Sequence, residues 1–265
     1  MRILGVDTAL ANASVALVDD GELLTEEILG TAREVNGGAM RQLQGNHAEI
    51  ILPLIELVLR NARITLADLS GIAVSIGPGS FTGLRIGLAT VKGIAYDWGV
   101  PVVGISTLRA NAARVTNFDG LICSLLDAHK GEVYMSLFRR SSENLARITT
   151  DTVTSINCAI DAMHNHHSCA ADGASLLVIG DGAKTYEKLL SDAFGATALL
   201  SASENYPSVA SGIAMIAHSR MITQSVEDVG TLAPVYLRRP AAETKNNQSN
   251  LLKILAETSL TKIIA

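Results

Sequence analysis

The sequence predicts an α/β protein of two tandem lobes, each a mixed β-sheet with helices packed on it. The main observation is a repeated order of segments, β-β-β-α-β-α-β-α, which occurs once in each half of the chain. A second is that corresponding strands end alike, since "RILGVD" ends in Asp7 and "LICSLLD" ends in Asp127. A third is composition, because 48% hydrophobic and 18% charged residues in a chain of 265 can bury a sizeable core.

Short apolar runs define the strands of the first half. "RILGV", "SVALV" and "GELLTEEI" are predicted strands joined by tight turns, and "GIAVSIG" and "PVVGIS" are two more. Between them, Met40–Arg60 is predicted to be an amphipathic helix that Pro53 kinks, and Leu84–Trp98 and Thr107–Arg114 are predicted helices. The first of these helices has side chains at steps of three and four: Met40, Leu43, His47, Ile50, Leu54 and Leu57.

The second half repeats this order. "LICSLLD" and "GEVYMSLF" are its first two strands, and a third is expected in Arg147–Val153. A helix near Ile156–His164, the strand "LLVIGDGA" and a helix over Lys184–Phe194 follow. A short strand near Thr197–Leu200 and a last helix over Ser208–Ile222 complete the pattern.

Three antiparallel strands followed by crossovers make a mixed sheet, and two such halves form the architecture of the actin-like (ribonuclease H-like) superfamily. We therefore expect an N-terminal actin-like lobe over residues 1–106 and a C-terminal one over residues 107–240. The last helix, about 207–223, could pack back on the first lobe. Residues 241–265 begin with the polar run "AAETKNNQSN" and are expected to form a mobile tail.

Charge and cysteine content limit the class of protein. A net charge of −5 and 4% aromatic residues argue against a chain that binds nucleic acid by itself. Three widely spaced cysteines without a CxxC pair fit a reduced, cytoplasmic protein. No run of 18 apolar residues exists, and only six residues precede the first acidic one, so neither a membrane span nor a signal peptide is expected.

The glycine-rich stretch "SIGPGSFTGLRIG", Ser75–Gly87, is similar to a phosphate-binding loop but lacks the GK[ST] ending of one. It still precedes a helix, whose free N–H groups could hold an anion. Arg85 lies in the first turn, where the helix dipole disfavours a cation, so it is either paired with an acidic or phosphate group or exposed to solvent.

The helix after this loop contains unusually many small residues, including glycines. Each glycine inside a helix costs about 1 kcal/mol relative to alanine, so their presence indicates the close approach of another backbone. That backbone could belong to this chain or to a partner. The small residues are Gly83, Gly87, Ala89, Thr90, Gly93 and Ala95.

In actin-like proteins, a nucleotide lies between the halves, held by two strand-turn-strand loops that need glycine. The first such loop here, "DTALANAS", has no glycine, whereas the second, "LDAHKGEVY", contains one next to His129 and Lys130. Asp7 and Asp127 could each face a metal–phosphate group, or they could cap the turns at the strand ends.

Five segments carry a resemblance to a known family, and they occur in the right order over about residues 1–240. They are "GVDTA", "HAEIILPLI", "GPGSFTGLRIG", "LDAHKGEVY" and "PVYLR". On these segments the chain resembles the TsaB (YeaZ) family of glycoprotease-like, actin-like proteins. The undecapeptide Gly77–Gly87 is the most specific of them.

This resemblance implies a bacterial cytoplasmic subunit required to make threonylcarbamoyladenosine beside the anticodon of tRNAs. Such a subunit is not the catalyst but binds its catalytic paralogue TsaD; the ATPase TsaE joins them, and tRNA is reached only through the complex. When alone it forms a homodimer. The implied partner interface comprises Met40, Leu43, His47, Ile50, Leu54, Gly83, Arg85, Gly87 and Thr90. A vestigial nucleotide cleft would comprise Asp7, Thr8, Asp127 and Lys130.

Aligning Val100–Arg114 with the metal-binding HxxxH segment of TsaD places Thr107 and Asn111 where the histidines would be. Neither side chain is a good ligand for iron or zinc, so we expect no metal, no cofactor and no catalysis. The alternatives are an ATP-binding actin-like enzyme and a metallopeptidase, which the absence of HExxH and of a catalytic triad disfavours. "HNHHSC", His164–Cys169, is expected to be a polar surface loop, and His47 to make a buried hydrogen bond.

Overall fold

The fold is seen in a computed structural model of the chain. The structure describes residues 1–29, 47–142, 144–168, 175–201 and 206–238. The chain divides into two compact units, Met1–Val235 and Tyr236–Ala265, and every element below lies in the first unit. Met40, Leu43 and the expected tail of residues 241–265 lie outside the described residues.

Eleven strands are described, and they form two mixed sheets. The first sheet has the order β3-β2-β1-β4-β5 and comprises β1 (Arg2–Asp7), β2 (Ser14–Asp19), β3 (Glu22–Ile28), β4 (Gly71–Gly77) and β5 (Val102–Ser106). The second has the order β11-β10-β6-β7-β8, with β9 also paired to β7. It comprises β6 (Gly120–Asp127), β7 (Glu132–Ser141), β8 (Asn144–Arg147), β9 (Thr152–Ser155), β10 (Leu176–Ile179) and β11 (Ala198–Ser201).

The two sheets have the same internal plan. In the first, β1 pairs antiparallel with β2 and parallel with β4, in the register Gly5↔Ala16 and Gly5↔Ala73. In the second, β6 pairs antiparallel with β7 and parallel with β10, in the register Ser124↔Ser136 and Ser124↔Ile179. The predicted α/β fold with two mixed sheets is therefore confirmed.

Seven α-helices lie in the described part of the chain. They are α1 (His47–Asn61), α2 (Phe81–Trp98), α3 (Thr107–Ala113), α4 (Ile156–Ser168), α5 (Asp181–Thr185), α6 (Glu187–Phe194) and α7 (Val209–Ile222). Short 3-10 turns lie at Leu66–Asp68 and Gly195–Thr197. None of the described helices is long and apolar enough to cross a membrane.

Three predicted elements of the second half differ from the structure. The single strand expected over Arg147–Val153 is two strands, because the N–H groups of Ile148 and Thr149 both donate to the Leu137 carbonyl oxygen and interrupt the ladder. The helix expected over Lys184–Phe194 is interrupted between α5 and α6, at Tyr186, whose φ of −110° is not helical.

The surface loop expected from His164 onward is wrong up to Ser168, because α4 continues through these residues. The imidazole ring of His164 stacks on the Phe194 ring, with a centroid distance of 4.2 Å, and this contact holds the end of α4 against α6.

The alternation of side chains along the first sheet separates two cores. On one face, Leu4, Val6 and Leu17 pack against α1 and α2. On the other face, Ile3 and Val18 pack against α7. The last described helix therefore covers the first sheet, more than a hundred residues after the final strand of that sheet.

The second sheet is also covered on both faces. Leu121, Cys123 and Leu125 face α4 and α6, whereas Ile122 and Phe138 pack with residues of α3 and the turn after it. Helices α3 and α7 touch each other closely, since a Cβ atom on Gly212 would lie 2.2 Å from the Ala110 carbonyl oxygen. The two sheets are thus joined through this helix pair.

Candidate functional site

The turn after β1 is packed directly against the start of α2. The fully buried Thr8 donates its hydroxyl to the Gly83 carbonyl oxygen at 2.7 Å. A Cβ atom on Gly83 would lie 1.9 Å from the Thr8 carbonyl oxygen, and one on Gly87 would lie 2.2 Å from Thr8 Oγ1. The side of α2 that carries Gly83 and Gly87 therefore packs against the β1–β2 turn of this same chain.

Two backbone donors of the glycine-rich loop are used within the chain. The Ser80 amide donates to the Ala9 carbonyl oxygen at 2.7 Å, and the Gly83 amide donates to the Ser80 hydroxyl at 3.2 Å. Ser80 is thus a helix N-cap. Two donors that could have bound a phosphate have protein partners, so the loop positions a helix on a turn.

Because α2 begins at Phe81, Arg85 lies just after its first turn, and it is exposed. Its guanidinium lies over the Phe81 ring, 3.9 Å from the ring centroid, which is a cation–π contact. This contact gives the arginine a local partner at the helix end that the dipole disfavours.

Asp7 is enclosed by the same packing and is 1% exposed. Its Oδ1 accepts the Ala9 amide at 3.1 Å, as an aspartate does when it caps a turn. The Ser75 hydroxyl is close enough to lower the Asp7 pKa, yet neither that oxygen nor Asp7 Oδ2 has a partner at hydrogen-bonding geometry among the described residues. Asp7 Oδ2 is therefore buried without a well-formed hydrogen bond from the described residues.

Burial is the main influence on the pKa of Asp7 and raises it above the ordinary value of 3.8. The nearby Ser75 hydroxyl, the hydrogen bond from the Ala9 amide, and the charges of His47 and Arg114 act in the opposite direction. Arg114 is itself buried, which lowers its pKa to about 10, and its Nη1 donates to the Pro207 carbonyl oxygen at 3.0 Å.

The second loop forms a separate polar group around Asp127, at the end of β6. Asp127 Oδ1 accepts the His129 amide at 2.8 Å and the Tyr186 hydroxyl at 3.4 Å. Asp181, which sequence reasoning missed, accepts the Asp127 amide at 3.0 Å. Burial, with the negative charge of Asp127, raises the Asp181 pKa. Lys130 is exposed on the turn.

Thr107 and Asn111 lie fully buried in α3. The Asn111 amide nitrogen donates to the Ser124 hydroxyl at 2.9 Å and to the Ile179 carbonyl oxygen at 3.2 Å. It thus links α3 to the second sheet. Over the described ranges, no group of three or more His, Cys, Asp or Glu side chains is placed to hold a metal ion.

Burial raises the pKa of Cys123 to about 12, so its thiol stays protonated at neutral pH. The protonated, enclosed thiol is a poor nucleophile, and Cys123 instead belongs to the core between the second sheet and α4.

The residues implied as a partner interface are divided between the core and the surface. Ile50 and Leu54 are buried in the core between α1 and the first sheet. His47 is half-buried, and its Nε2 donates to the Ala11 carbonyl oxygen at 3.2 Å. Thr90 is half-buried as well.

Helices α1 and α2 contact each other and expose one side away from the sheet. We call this surface the outer face of the helix pair. Leu52 is 55% exposed there and Tyr96 is 91% exposed. Exposed residues of this face include Ala48, Glu49, Leu52, Pro53, Glu56 and Arg60 on α1, and Thr82, Arg85, Ala89, Gly93 and Tyr96 on α2.

Comparison with known sequences gives one family and two kinds of relative. The family model of TsaD, tRNA N6-adenosine threonylcarbamoyltransferase, matches residues 32–246. The tRNA threonylcarbamoyladenosine biosynthesis protein TsaB of Bacillus subtilis is 26% identical over 245 residues, which are 92% of this chain and 97% of that protein. The tRNA N6-adenosine threonylcarbamoyltransferase of Lawsonia intracellularis is 37% identical over only 115 residues, which are 42% of this chain and 32% of that enzyme.

Among solved structures, YeaZ from Pseudomonas aeruginosa is similar in fold, with a TM-score of 0.65 and 23% sequence identity. The match covers 89% of this chain and 99% of that one. This similarity supports the two-sheet architecture described above.

The contrast between Gly83 and Gly93 gives a test of the packing at α2. Gly83→Ala is expected to lower the free energy of unfolding by about 1–3 kcal/mol, because its Cβ would collide with Thr8. Gly93→Ala meets nothing within 4 Å and should raise it by up to about 1 kcal/mol, through helix propensity. Urea unfolding of both variants measures the difference, and equal effects would contradict the close contact.

The pKa of Asp7 predicts a dependence of stability on pH. A raised pKa means that the folded chain holds this proton more tightly than the unfolded chain does, so stability falls as the pH rises through the raised pKa. Asp7→Asn, neutral at every pH, should therefore unfold at a higher temperature than wild type at pH 7. This advantage should shrink as the pH falls toward 3.8.

The measurement is thermal unfolding across this pH range, with Asp192→Asn as the control, because Asp192 is exposed on α6. A stability gain at pH 7 that is the same at low pH, or equal in the two variants, would show that the buried charge of Asp7 is not its cause.

Proposed function

The chain belongs to the TsaD family, described as tRNA N6-adenosine threonylcarbamoyltransferase, and on this premise we propose that it acts as a TsaB-type, non-catalytic subunit. In this role it supports threonylcarbamoyladenosine formation in tRNA by binding the catalytic paralogue TsaD. The observation that carries the proposal is the outer face of α1 and α2, an exposed helix pair with apolar side chains at its surface.

The lengths of the matches support a TsaB-type role over a catalytic one. This chain covers 97% of a TsaB protein but only 32% of a threonylcarbamoyltransferase. The position where the resemblance puts a metal-binding histidine pair holds Thr107 and Asn111, both buried. Asn111 is committed to hydrogen bonds with Ser124 and Ile179, which suits a structural role.

The shape of the outer face suits helix-to-helix docking. Ala89 and Gly93 lie on the exposed side of α2, where small side chains allow another helix to come close. Leu52 and Tyr96 flank them with exposed apolar surface. Tyrosine is among the side chains that most often anchor an interface, and the exposed leucine adds apolar area that binding would bury.

The burial of the residues implied by the family resemblance suggests which of them could touch a partner directly. Gly83 and Gly87 are buried against Thr8, and Ile50 and Leu54 are in the core, so their contribution would be to shape the helix pair. Arg85 remains on the exposed side. In the absence of TsaD, the same face would pair two copies of this chain, and the ATPase TsaE would join the heteromeric complex in the cytoplasm.

The ATP-binding alternative has less support. A carboxylate that holds a metal–phosphate group needs access to solvent, whereas Asp7 is 1% exposed and its burial favours the protonated form. Two amides of the glycine-rich loop already have protein acceptors.

A new charge in place of an apolar side chain on the outer face is expected to weaken pairing strongly. Leu52→Glu should weaken the binding of TsaD, or of a second copy, at least about 30-fold, because an interface would bury an unpaired carboxylate. Leu199→Glu, on β11, is a matched control, since both leucines are 55% exposed. Light scattering of each variant, alone and mixed with TsaD of the same organism, measures the effect.

Normal pairing by Leu52→Glu would place the interface elsewhere, and failure of the wild-type chain to bind TsaD would contradict the partner role itself. Gly87→Glu is not a suitable probe, because the new side chain would collide with Thr8 inside the fold.

A further inference from the structure

Three arginine side chains gather around one short segment, Gly104–Arg109, at the edge of the first sheet. The segment is the end of β5 and the start of α3. Arg220 comes to it from α7, Arg147 from β8, and Arg109 belongs to it. We call these residues the arginine cluster.

Arg220 is fixed by the backbone and by a carboxylate. Its Nη1 donates to the Gly104 carbonyl oxygen at 3.0 Å, and its Nη2 lies 2.7 Å from Glu227 Oε1. Glu227 also accepts the Gly104 amide at 3.2 Å. The pair therefore holds α7, β5 and the chain after α7 in one arrangement.

Arg147 is fixed in a similar way through Asp151. Its guanidinium pairs with Asp151 Oδ1, and Asp151 Oδ2 accepts the Ser106 hydroxyl at 2.6 Å. The same guanidinium lies 5.0 Å from the Phe138 ring centroid. Asp151, which lies between β8 and β9 in the sequence, thus ties this part of the second sheet to the start of α3.

Arg109 differs from the other two. Its amide donates to the Ser106 hydroxyl at 3.2 Å, but its exposed guanidinium has no hydrogen bond or ion pair within the described residues. Partial burial, then the charges of Arg147 and Arg220, lower the pKa of Arg109, while Asp151 opposes them. With Asp151 and Glu227 paired to its neighbours, the cluster has one positive charge in excess.

We propose that the arginine cluster is an anion site in which Arg109 binds a backbone phosphate of RNA, flanked by Arg147 and Arg220. The chain carries a net charge of −5, so this local excess of positive charge is opposite in sign to the molecule as a whole. A planar guanidinium can donate two parallel hydrogen bonds to two phosphate oxygens. Arg147 and Arg220 are already fixed by Asp151 and Glu227, so less side-chain entropy is lost when an anion binds beside them.

RNA is the favoured ligand because the proposed function brings this chain to a tRNA, and the inference rests on that function. It adds a direct contact between this chain and the RNA. A single phosphate contact is weak by itself and is effective within a complex that supplies others.

The test is the affinity for a fluorescein-labelled tRNA transcript, measured by anisotropy between about 50 and 200 mM salt with full-length chain, alone and mixed with TsaD. Arg109→Ala is expected to weaken binding about three- to tenfold and to reduce the slope of log affinity against log salt by about 0.7–0.9. Arg109→Lys keeps the charge and should restore the slope. Arg63→Ala is the control, because Arg63 is an exposed arginine in the loop after α1, which lies across the first sheet from α7.

Light scattering of the same samples separates the two proposals. If Arg109→Ala pairs with TsaD like wild type but binds tRNA like Arg63→Ala, the phosphate site is wrong and the partner role stands. If wild type does not pair with TsaD, the partner role fails, and the titration of the chain alone still decides the site. Absence of tRNA binding in both samples would overturn the RNA contact. If thermal unfolding then shows that inorganic phosphate stabilises the wild type but not Arg109→Ala, the site binds free phosphate instead of RNA.

Discussion

The contact between Thr8 and α2 is the constraint on which the arrangement of the first sheet and its helices depends. It requires glycine at two positions of α2, because the turn after β1 occupies the space of both side chains. It fixes which side of α2 faces the sheet and therefore which side is exposed. A helix with larger residues at these two positions would lie further from the turn, and its position relative to α1 on the outer face would change.

The same contact also determines the surroundings of Asp7 and of the glycine-rich loop. Closing the turn against α2 excludes solvent from Asp7 and gives loop amides internal acceptors. A nucleotide site needs the opposite condition, with open amides and a charged, solvated carboxylate. Asp7 and Asp127 each accept a backbone amide of their own turn, which is the capping role that the sequence offered as the alternative to a metal–phosphate site.

The sequence predicted the fold well because it repeats itself. Two halves with the same order of apolar runs constrain each other, and the alternation of Ile3 and Leu4 identifies a sheet with two covered faces. The hydrogen bonds to the Leu137 carbonyl and the stacking of His164 on Phe194 do not correspond to any periodic pattern in the sequence. The break between β8 and β9 and the end of α4 could therefore not be predicted. The glycines indicated a close approach, but only the structure identifies Thr8 as the neighbour. The arginine cluster brings together residues more than a hundred positions apart, so no local sequence motif predicts it.

The position of α7 has a consequence for synthesis on the ribosome. One face of the first sheet, with Ile3, Val18, Ala73 and Val103, is covered mainly by this helix. Every strand of that sheet has been made by Ser106, whereas α7 ends at Ile222. A nascent chain therefore carries an uncovered apolar sheet face while the entire second sheet is translated, and during that interval it is a natural client for a chaperone.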